Sequence, residues 1–403
     1  MLPAAMVDAQ PQVSTLFDEV MAIPGGFADF LDSALVEQAV FRAHLAQPVA
    51  RVVATGEVGV LRAARFREAI GIPGQSVESA LAYRDKMVMK TFCARAGVRV
   101  ARHKAIGSPS DLVGFAGVVG FPIVLKPRAG AGSIDTRLIR SEAEMWSALA
   151  ALPAATVGLG MNLLAEEFIN GQLYHVNGYA RADGEIGLAW PASYLERGNL
   201  DSVLNEGTVA GEYLLDASDP RVGPMQAFTG QCLRALPWPA HGFAFHLELF
   251  EEDGSGDFVL CEVACRQGGG SIVDIYEFGF GIDLLDASVR LQAGLAIPPH
   301  AVVPTRMFGA VAAPVRRGIL HLSSSDGPPF SWVVRHELKL KSGDRGTGPR
   351  SCVDASANFV VDGESSCHVR SRLDEVMLWR DSVATWTSEP AGTDRAVLAS
   401  PPA

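Results

Sequence analysis

The residues best placed to do chemistry lie between Gly242 and Ser271, in GFAFHLELFEEDGSGDFVLCEVACRQGGGS. A period of two across the first apolar run puts Phe243, Phe245, Leu247 and Leu249 on one strand face and His246 and Glu248 on the other. Asp253-Gly254-Ser255-Gly256 then reads as a tight turn, and the returning strand lines up Glu262, Ala264 and Arg266. Two carboxylates and a guanidinium on neighbouring strands are costly to bury unless an ion or a charged ligand lies between them. From the hairpin alone, a solvated acidic face and a ligand-binding face both stay open.

The elements around this hairpin supply further candidates. Arg84 to Phe92 has a helical pattern in which Lys86 and Lys90 share a face, and a solvated setting is expected for Lys90. Gly120 to Pro127 reads as a buried strand ending in Lys126. The loop Ala129-Gly130-Ala131-Gly132-Ser133 follows, then a strand over Thr136–Ile139 and a helix from Ser141 to Leu152. A glycine loop between two strands is not a P-loop, and neither GK[ST] nor an initial G-x-G-x-x-G is present. Such a hairpin can still offer backbone N–H groups to phosphates, the alternative being a turn that binds nothing. Next come a strand at Asn162–Leu164, the segment Ala165–Gly171, and alternation from Tyr174 to Tyr179, with Asp183-Gly184 as a hairpin turn. Val209–Leu236 reads as a loop and a helix, Ile282 starts a helix ending near Gly294, and the last helix is expected over Leu373–Trp386.

Length and composition bound the rest. A chain of 403 residues is too long for one ordinary core, and 48% hydrophobic content with 41 Gly and 24 Pro describes a turn-rich α/β protein. Near the start, Ala50–Ala54 is strand-like and Glu57–Ile70 helical, ending before the turn Gly71-Ile72-Pro73-Gly74. The net charge of -11 argues against nucleic acid or an anionic membrane as the main partner. The six cysteines, Cys93, Cys232, Cys261, Cys265, Cys352 and Cys367, form no C-x-x-C pair and read as small buried hydrophobes in a reducing compartment. The opening MLPAAMVDAQ has no basic region or cleavage site, and no apolar run reaches membrane length, so a cytoplasmic protein is expected.

The order RDKMVMK, GFPIVLKPRAGAGS, AEEFINGQLYHVNG, AFHLELF and CEVACRQGGG resembles the ATP-grasp superfamily of carboxylate–amine ligases over Gly71 to about Gly294. The likeness is greatest to the branch of bacilysin-synthetase-type L-amino acid ligases. The resemblance implies an α/β (α+β) ATP-grasp fold with an N-terminal α/β domain over 1–105 and a lid subdomain over 106–167. A C-terminal antiparallel-sheet catalytic domain over 168–403 would carry an extra terminal segment. It implies that Lys86 and Lys126 hold the ATP phosphates and that Gly130, Gly132 and Ser133 close over them. Glu166 would accept from the adenine amino group, with Glu167, Phe168 and Ile169 completing the adenine contacts. Glu248 and Glu262 would coordinate Mg²⁺, with Mn²⁺ as the substitute ion. Arg266 would bind the substrate carboxylate and then the acyl phosphate, beside Gly268 and Gly269, and His246 would reach the transferred phosphoryl group or serve as a structural histidine.

Two positions depart from the wider superfamily. Ala264 stands where many members have a metal-binding Asn, and Leu173 where many have a ribose-binding Glu, with His175 a poor substitute. The activity implied is ATP-dependent formation of an amide from small-molecule carboxylate and amine substrates, amino acids foremost. No nucleic-acid or membrane partner is implied, and a homodimer is left open. The competing readings are a carboxylase using bicarbonate or another small acid, and an ATP-binding protein without chemistry. Specificity could lie at Tyr194–Asn199, at Glu206-Gly207 or between Gln267 and Asp274.

Overall fold

The computed structural model describes residues 2–3, 20–23, 33–151, 162–195, 210–324, 326–349 and 354–387. The chain begins with a short parallel pair, β1 (Leu2–Pro3) and β2 (Ala22–Ile23). Four helices follow: α1 (Ala34–Ala46), α2 (Val60–Ala69), α3 (Val77–Arg84) and α4 (Lys86–Arg95). Ala50–Ala54, expected as a strand, forms none. Side chains meet its backbone instead: Val52 O accepts from the Arg67 guanidinium, and the Gln292 amide pairs with both N and O of Ala54. The helical pattern read through Arg84–Phe92 is broken at Asp85, which caps α3 and then opens α4 by accepting from the N–H groups of Met87 and Val88.

The second body is a four-stranded antiparallel sheet, ordered β3-β6-β4-β5. It comprises β3 (His103–Ile106), α5 (Pro109–Val119), β4 (Ile123–Pro127), β5 (Arg137–Ile139), α6 (Glu142–Ala150) and β6 (Leu163–Glu167). Leu112 and Phe115 of α5 and Met145 of α6 pack on Ile123, Leu125 and Ile139, giving this sheet a core of its own.

The remainder is built on an eight-stranded antiparallel sheet ordered β11-β10-β7-β8-β9-β12-β16-β14. Its elements are β7 (Gly171–Ala180), β8 (Ile186–Tyr194), β9 (Ala210–Leu214), α7 (Val222–Ala235), β10 (Phe243–Glu252), β11 (Phe258–Ala264), α8 (Ile272–Phe280), α9 (Leu284–Ala293) and β12 (Met307–Pro314). After these come β13 (Arg317–Leu322), β14 (Val333–Leu338), β15 (Arg345–Thr347), β16 (Ala355–Gly363), α10 (Ser366–Val383) and β17 (Ala384–Thr387). Phe243, Phe245, Leu247 and Leu249 are at most 1% exposed, each contributing about 2–3 kcal/mol of burial. His246 and Glu248 face the other way, as the period of two requires. At Gly178 an added Cβ would stand 1.8 Å from Leu188 O, so β7 and β8 close at this separation only over glycine.

Several expectations are corrected here. β9 lies in a stretch read as loop, because Gly211 and Glu212 interrupt its apolar alternation. The last helix starts at Ser366, capped by the Ser365 hydroxyl, and Trp386 belongs to β17, not to the helix. Cys93, Cys232 and Cys265 are buried, but Cys261 is half-buried and Cys367 is exposed; Cys352 lies outside the described residues.

Candidate active site

Between the four-stranded sheet and the polar face of the eight-stranded sheet lies a cavity of about 290 Å³. It gathers residues widely separated in sequence: Lys86 and Lys90 from α4, Lys126 from β4, and Gly130, Gly132 and Ser133 from the glycine loop. Glu166 to Ile169, His246, Glu248, Glu262, Arg266 and Gly269 complete that set. Gly268 stands apart. It is buried behind the wall, where a Cβ would come within 2.8 Å of Asn177 Oδ1 and 2.7 Å of Ile272 Cγ2.

One end is a buried ion cluster. Glu166 Oε2 is 2.8 Å from Lys126 Nζ, and Glu166 Oε1 is 3.1 Å from Lys90 Nζ. Lys90 is fully buried and also donates to Leu260 O at 3.1 Å, correcting the solvated setting expected for it. The surface that α4 turns toward β11 is covered by β6 and β11, which helical spacing alone does not reveal. Burial works to raise the Glu166 pKa, but Lys126 and Lys90 outweigh it and hold the carboxyl at about 2. Burial works to lower that of Lys126, and the nearby Glu166 and Glu262 reverse the effect, so its pKa is raised. Glu166 Oε1 is paired with the Lys90 ammonium but receives no well-aligned hydrogen bond among the described residues, which leaves it acceptor capacity. An acceptor of this kind at the cavity wall suits an exocyclic amino donor. Glu167 turns its carboxylate to Arg102 and donates its N–H to Arg102 O, while Phe168 and Ile169 line the cavity.

The carboxylate pair lies across the hairpin. Glu248 of β10 is directly opposite Glu262 of β11, so both side chains share the cavity face. Like charges so placed repel unless neutralised. Lys86 Nζ lies 2.8 Å from Glu262 Oε2, and Glu248 Oε1 accepts from the Tyr194 hydroxyl at 2.7 Å. Burial works to raise the Glu262 pKa, but Lys86 and Lys126 bring it down to about 2. Among the described residues no group of three or more His, Cys, Asp or Glu side chains is positioned for a metal. Two carboxylates beside open space nevertheless fit Mg²⁺, which keeps several waters and takes its other ligands from phosphates. Ala264 offers no third ligand.

His246 belongs to a buried polar chain. Its Nε2 is 3.4 Å from Glu248 Oε1 and its Nδ1 is 2.9 Å from Asn177 Oδ1. Asn177 Nδ2 lies 2.7 Å from His175 Nδ1. His175 is fully buried and does not line the cavity; its pKa is pushed well below 6.5 by burial and then by His246. Arg266 is oriented from outside the hairpin, its Nε paired with Glu57 Oε2, while Glu57 Oε1 lies 3.3 Å from Arg84 Nη1. Arg84 and Lys86 both donate to Gly130 O, at 3.2 and 3.0 Å, and Arg128 makes a two-bond pair with Asp85. The glycine loop is thereby tied to the start of α4, and it turns through left-handed backbone at Gly132, Ser133 and Asp135.

Sequence reasoning missed Glu57, Arg84, Asn177 and Glu212. For Asn177 a signal existed, since it stands two residues from His175 on an alternating strand; Glu57 has no local pattern that marks it. Of the suggested specificity segments, 196–199 and Glu206-Gly207 lie outside the described residues.

No family model matches the chain. Over 306 residues, 74% of this chain and 71% of the relative, it is 26% identical to an L-arginine-specific L-amino acid ligase of Bacillus subtilis. Over 153 residues, 33% of this chain and 32% of the relative, it is 29% identical to an alanine–anticapsin ligase of the same organism. Among solved structures, an L-amino acid ligase from Bacillus licheniformis superposes with a TM-score of 0.70 at 18% identity, covering 91% of this chain and 88% of that one. The biotin carboxylase domain of a Hydrogenobacter thermophilus 2-oxoglutarate carboxylase, solved with MgADP and bicarbonate, gives 0.67 at 15% identity over 96% and 84%. No helix among the described residues is long and apolar enough to cross a membrane. Fold, cavity and relatives agree: the chain has the ATP-grasp fold, is similar over 74% of its length to an L-amino acid ligase, and is an ATP-dependent enzyme that forms C–N bonds.

Proposed function

We propose that the protein joins an amino acid, through its carboxylate, to the amine of a second amino acid or a related metabolite. The observation that carries this reading is the convergence of Lys86, Lys126, Glu248, Glu262 and Arg266 on one cavity. Phosphoryl transfer needs positioned charge more than a protein nucleophile, and this set supplies it.

The adenine of ATP would lie at Glu166 to Ile169, and the phosphates between Lys86, Lys126 and the loop Gly130–Ser133. Glu248 and Glu262 would hold Mg²⁺, with Mn²⁺ accepted by the same oxygen ligands; the ion would neutralise phosphate charge. A carboxylate oxygen of the first substrate, held by Arg266, attacks the γ-phosphorus, and the bond to ADP breaks. The amine nitrogen then attacks the acyl carbon, a C–N bond forms, phosphate leaves with the C–O electron pair, and the nitrogen gives up a proton. His246, on the cavity face beside Glu248, would turn its Nε2 edge toward the transferred phosphoryl group. Closure of the four-stranded unit over the loop keeps water from the acyl phosphate. We place the enzyme in the cytoplasm and expect a homodimer, which light scattering would test.

The deciding experiment is a coupled ADP-release screen over pairs of amino acids, with products read by mass spectrometry. Release that needs both an acid and an amine, and that is lost in Glu262→Gln, supports the proposal. ADP release driven by bicarbonate alone would move the protein to carboxylation, and nucleotide binding with no phosphate release under any condition would leave it a binding protein.

A further inference from the structure

One carboxyl group in the cavity has no role in the chemistry above. Glu212 is on β9, directly opposite Tyr194 of β8 and Ala310 of β12, and all three line the cavity. The other cavity carboxylates are matched: Glu166 by two lysines, Glu262 by Lys86, Glu248 by the Tyr194 hydroxyl, and Glu167, turned to the rim, by Arg102. Glu212 has no ion-pair or hydrogen-bond partner among the described residues. The charge that acts on it is that of Asp274 of α8, and Arg335 of β14, which pairs with Asp274, is itself shared with Glu277. Burial, and then Asp274, push the Glu212 pKa up to about 8, the behaviour of a carboxyl that lacks a counter-ion.

Position narrows what the missing counter-ion is. β9 is three strands from β10 in the sheet order, about 14 Å at ordinary strand spacing. Glu212 therefore stands along the sheet from Glu248 and Glu262, on the side away from the lysines that meet β11. A carboxyl without a partner at the wall of a cleft recognises a cation delivered by the ligand.

We propose that Glu212 receives the positive charge of a substrate, either an α-ammonium group or a cationic side chain such as guanidinium. This rests on the ligase reading above. Tyr194 is common to both halves of the site, since its hydroxyl is bound to Glu248 while its strand position is beside Glu212. Selection for a charged amine would thus be made on the same sheet face as phosphoryl transfer.

The test compares wild type with Glu212→Gln, which keeps shape and removes charge. Binding of arginine, citrulline and alanine would be measured by calorimetry in the presence of MgADP, together with KM and kcat for each accepted substrate. Matched acids lacking the α-amino group separate the two sources of charge. The expected result is a rise of about 10- to 100-fold in Kd and KM for the substrate whose cation Glu212 holds, with the preference for the charged member of its pair lost. Affinity for ADP should be unchanged, which also shows that the variant is folded. Wild type that binds and ligates amino acids while Glu212→Gln leaves every Kd and KM within about twofold overturns the proposal alone. Wild type that binds ADP but no amino acid overturns the ligase reading as well.

Discussion

Asn177 Oδ1 stands 2.9 Å from His246 Nδ1, and the amide nitrogen of the same side chain stands 2.7 Å from His175 Nδ1. An amide has one acceptor end and one donor end, so this orientation assigns the protons. His246 carries a proton on Nδ1, and His175 must accept there. The Nε2 edge of His246 is then turned toward Glu248 and the cavity. Asn177→Leu removes this direction while filling the space. The expected outcome is a fall in kcat of about tenfold or more with the Kd for ADP essentially unchanged, read by steady-state ADP release and calorimetry. Equal losses in both would mean that the amide only supports the fold.

Gly268 tests the same contact from behind. A methyl group there would meet Asn177 Oδ1 at 2.8 Å and Ile272 Cγ2 at 2.7 Å, closer than real Cβ contacts allow. Gly268→Ala should therefore reproduce the kcat defect of Asn177→Leu, and combining the two should cost less than the sum, because both act through one side chain. Strict additivity would separate Gly268 from His246.

The Lys90–Glu166–Lys126 cluster gives an ordering of stabilities. Lys90→Met leaves Glu166 with Lys126 at 2.8 Å, and a cost of about 1–2 kcal/mol is expected. Glu166→Leu strands two buried ammonium groups, and about 3–5 kcal/mol is expected. Urea unfolding of both variants would check this. If Lys90→Met proves the more damaging, Lys90 is held chiefly by Leu260 O, its other acceptor.

Acid stability follows from the same cluster and from Glu262. Both carboxyls are held at about 2 in the folded protein, below the ordinary unfolded value of about 4.3. Their contribution is complete above that value and is lost as pH falls toward 2, so the unfolding midpoint should drop steeply across that window. Each group contributes on the order of 2–3 kcal/mol. Glu166→Gln and Glu262→Gln should each flatten the acid limb measured by urea unfolding between pH 6 and pH 3. An unchanged slope in both would contradict the charge pairing.

Much of this site could be read from the chain because its chemistry repeats at short spacing. His246, Glu248, Glu262 and Arg266 fall on strands with a strict period of two, and Lys126 closes an apolar strand before a glycine loop. What escaped was set by tertiary packing. Lys90 looks like any surface lysine until β6 and β11 cover it. Glu57 meets Arg266 across more than two hundred residues, and no local pattern foretells such a pair. β9 is five residues long and carries Gly211 and Glu212 in succession, which leaves too few apolar residues to show an alternation, so it reads as loop although it joins two parts of one sheet. Ala50–Ala54 fails in the opposite sense: its residues suit a strand, but Arg67 and Gln292 satisfy its backbone and no partner strand is present among the described residues.

If Glu248 and Glu262 hold the metal as proposed, Lys86 competes with it for Glu262. Its Nζ lies 2.8 Å from Glu262 Oε2, so without nucleotide the carboxylate pair already has one positive charge, and a metal must compete with it. Phosphates change that balance by giving Lys86 a second anionic partner and the metal further oxygen ligands. Two opposite effects of Lys86→Met follow. Without nucleotide, Glu248 and Glu262 face each other with no ammonium between them, and Mg²⁺ alone should raise the melting temperature by about 2 °C or more, while wild type barely responds. With ADP present the order should reverse, because the variant lacks the ammonium proposed to hold the phosphates and only wild type gains the full stabilisation. Thermal melts with Mg²⁺, with ADP and with both would decide. A variant that responds to Mg²⁺ no more than wild type would show that Glu248 and Glu262 do not form the metal site.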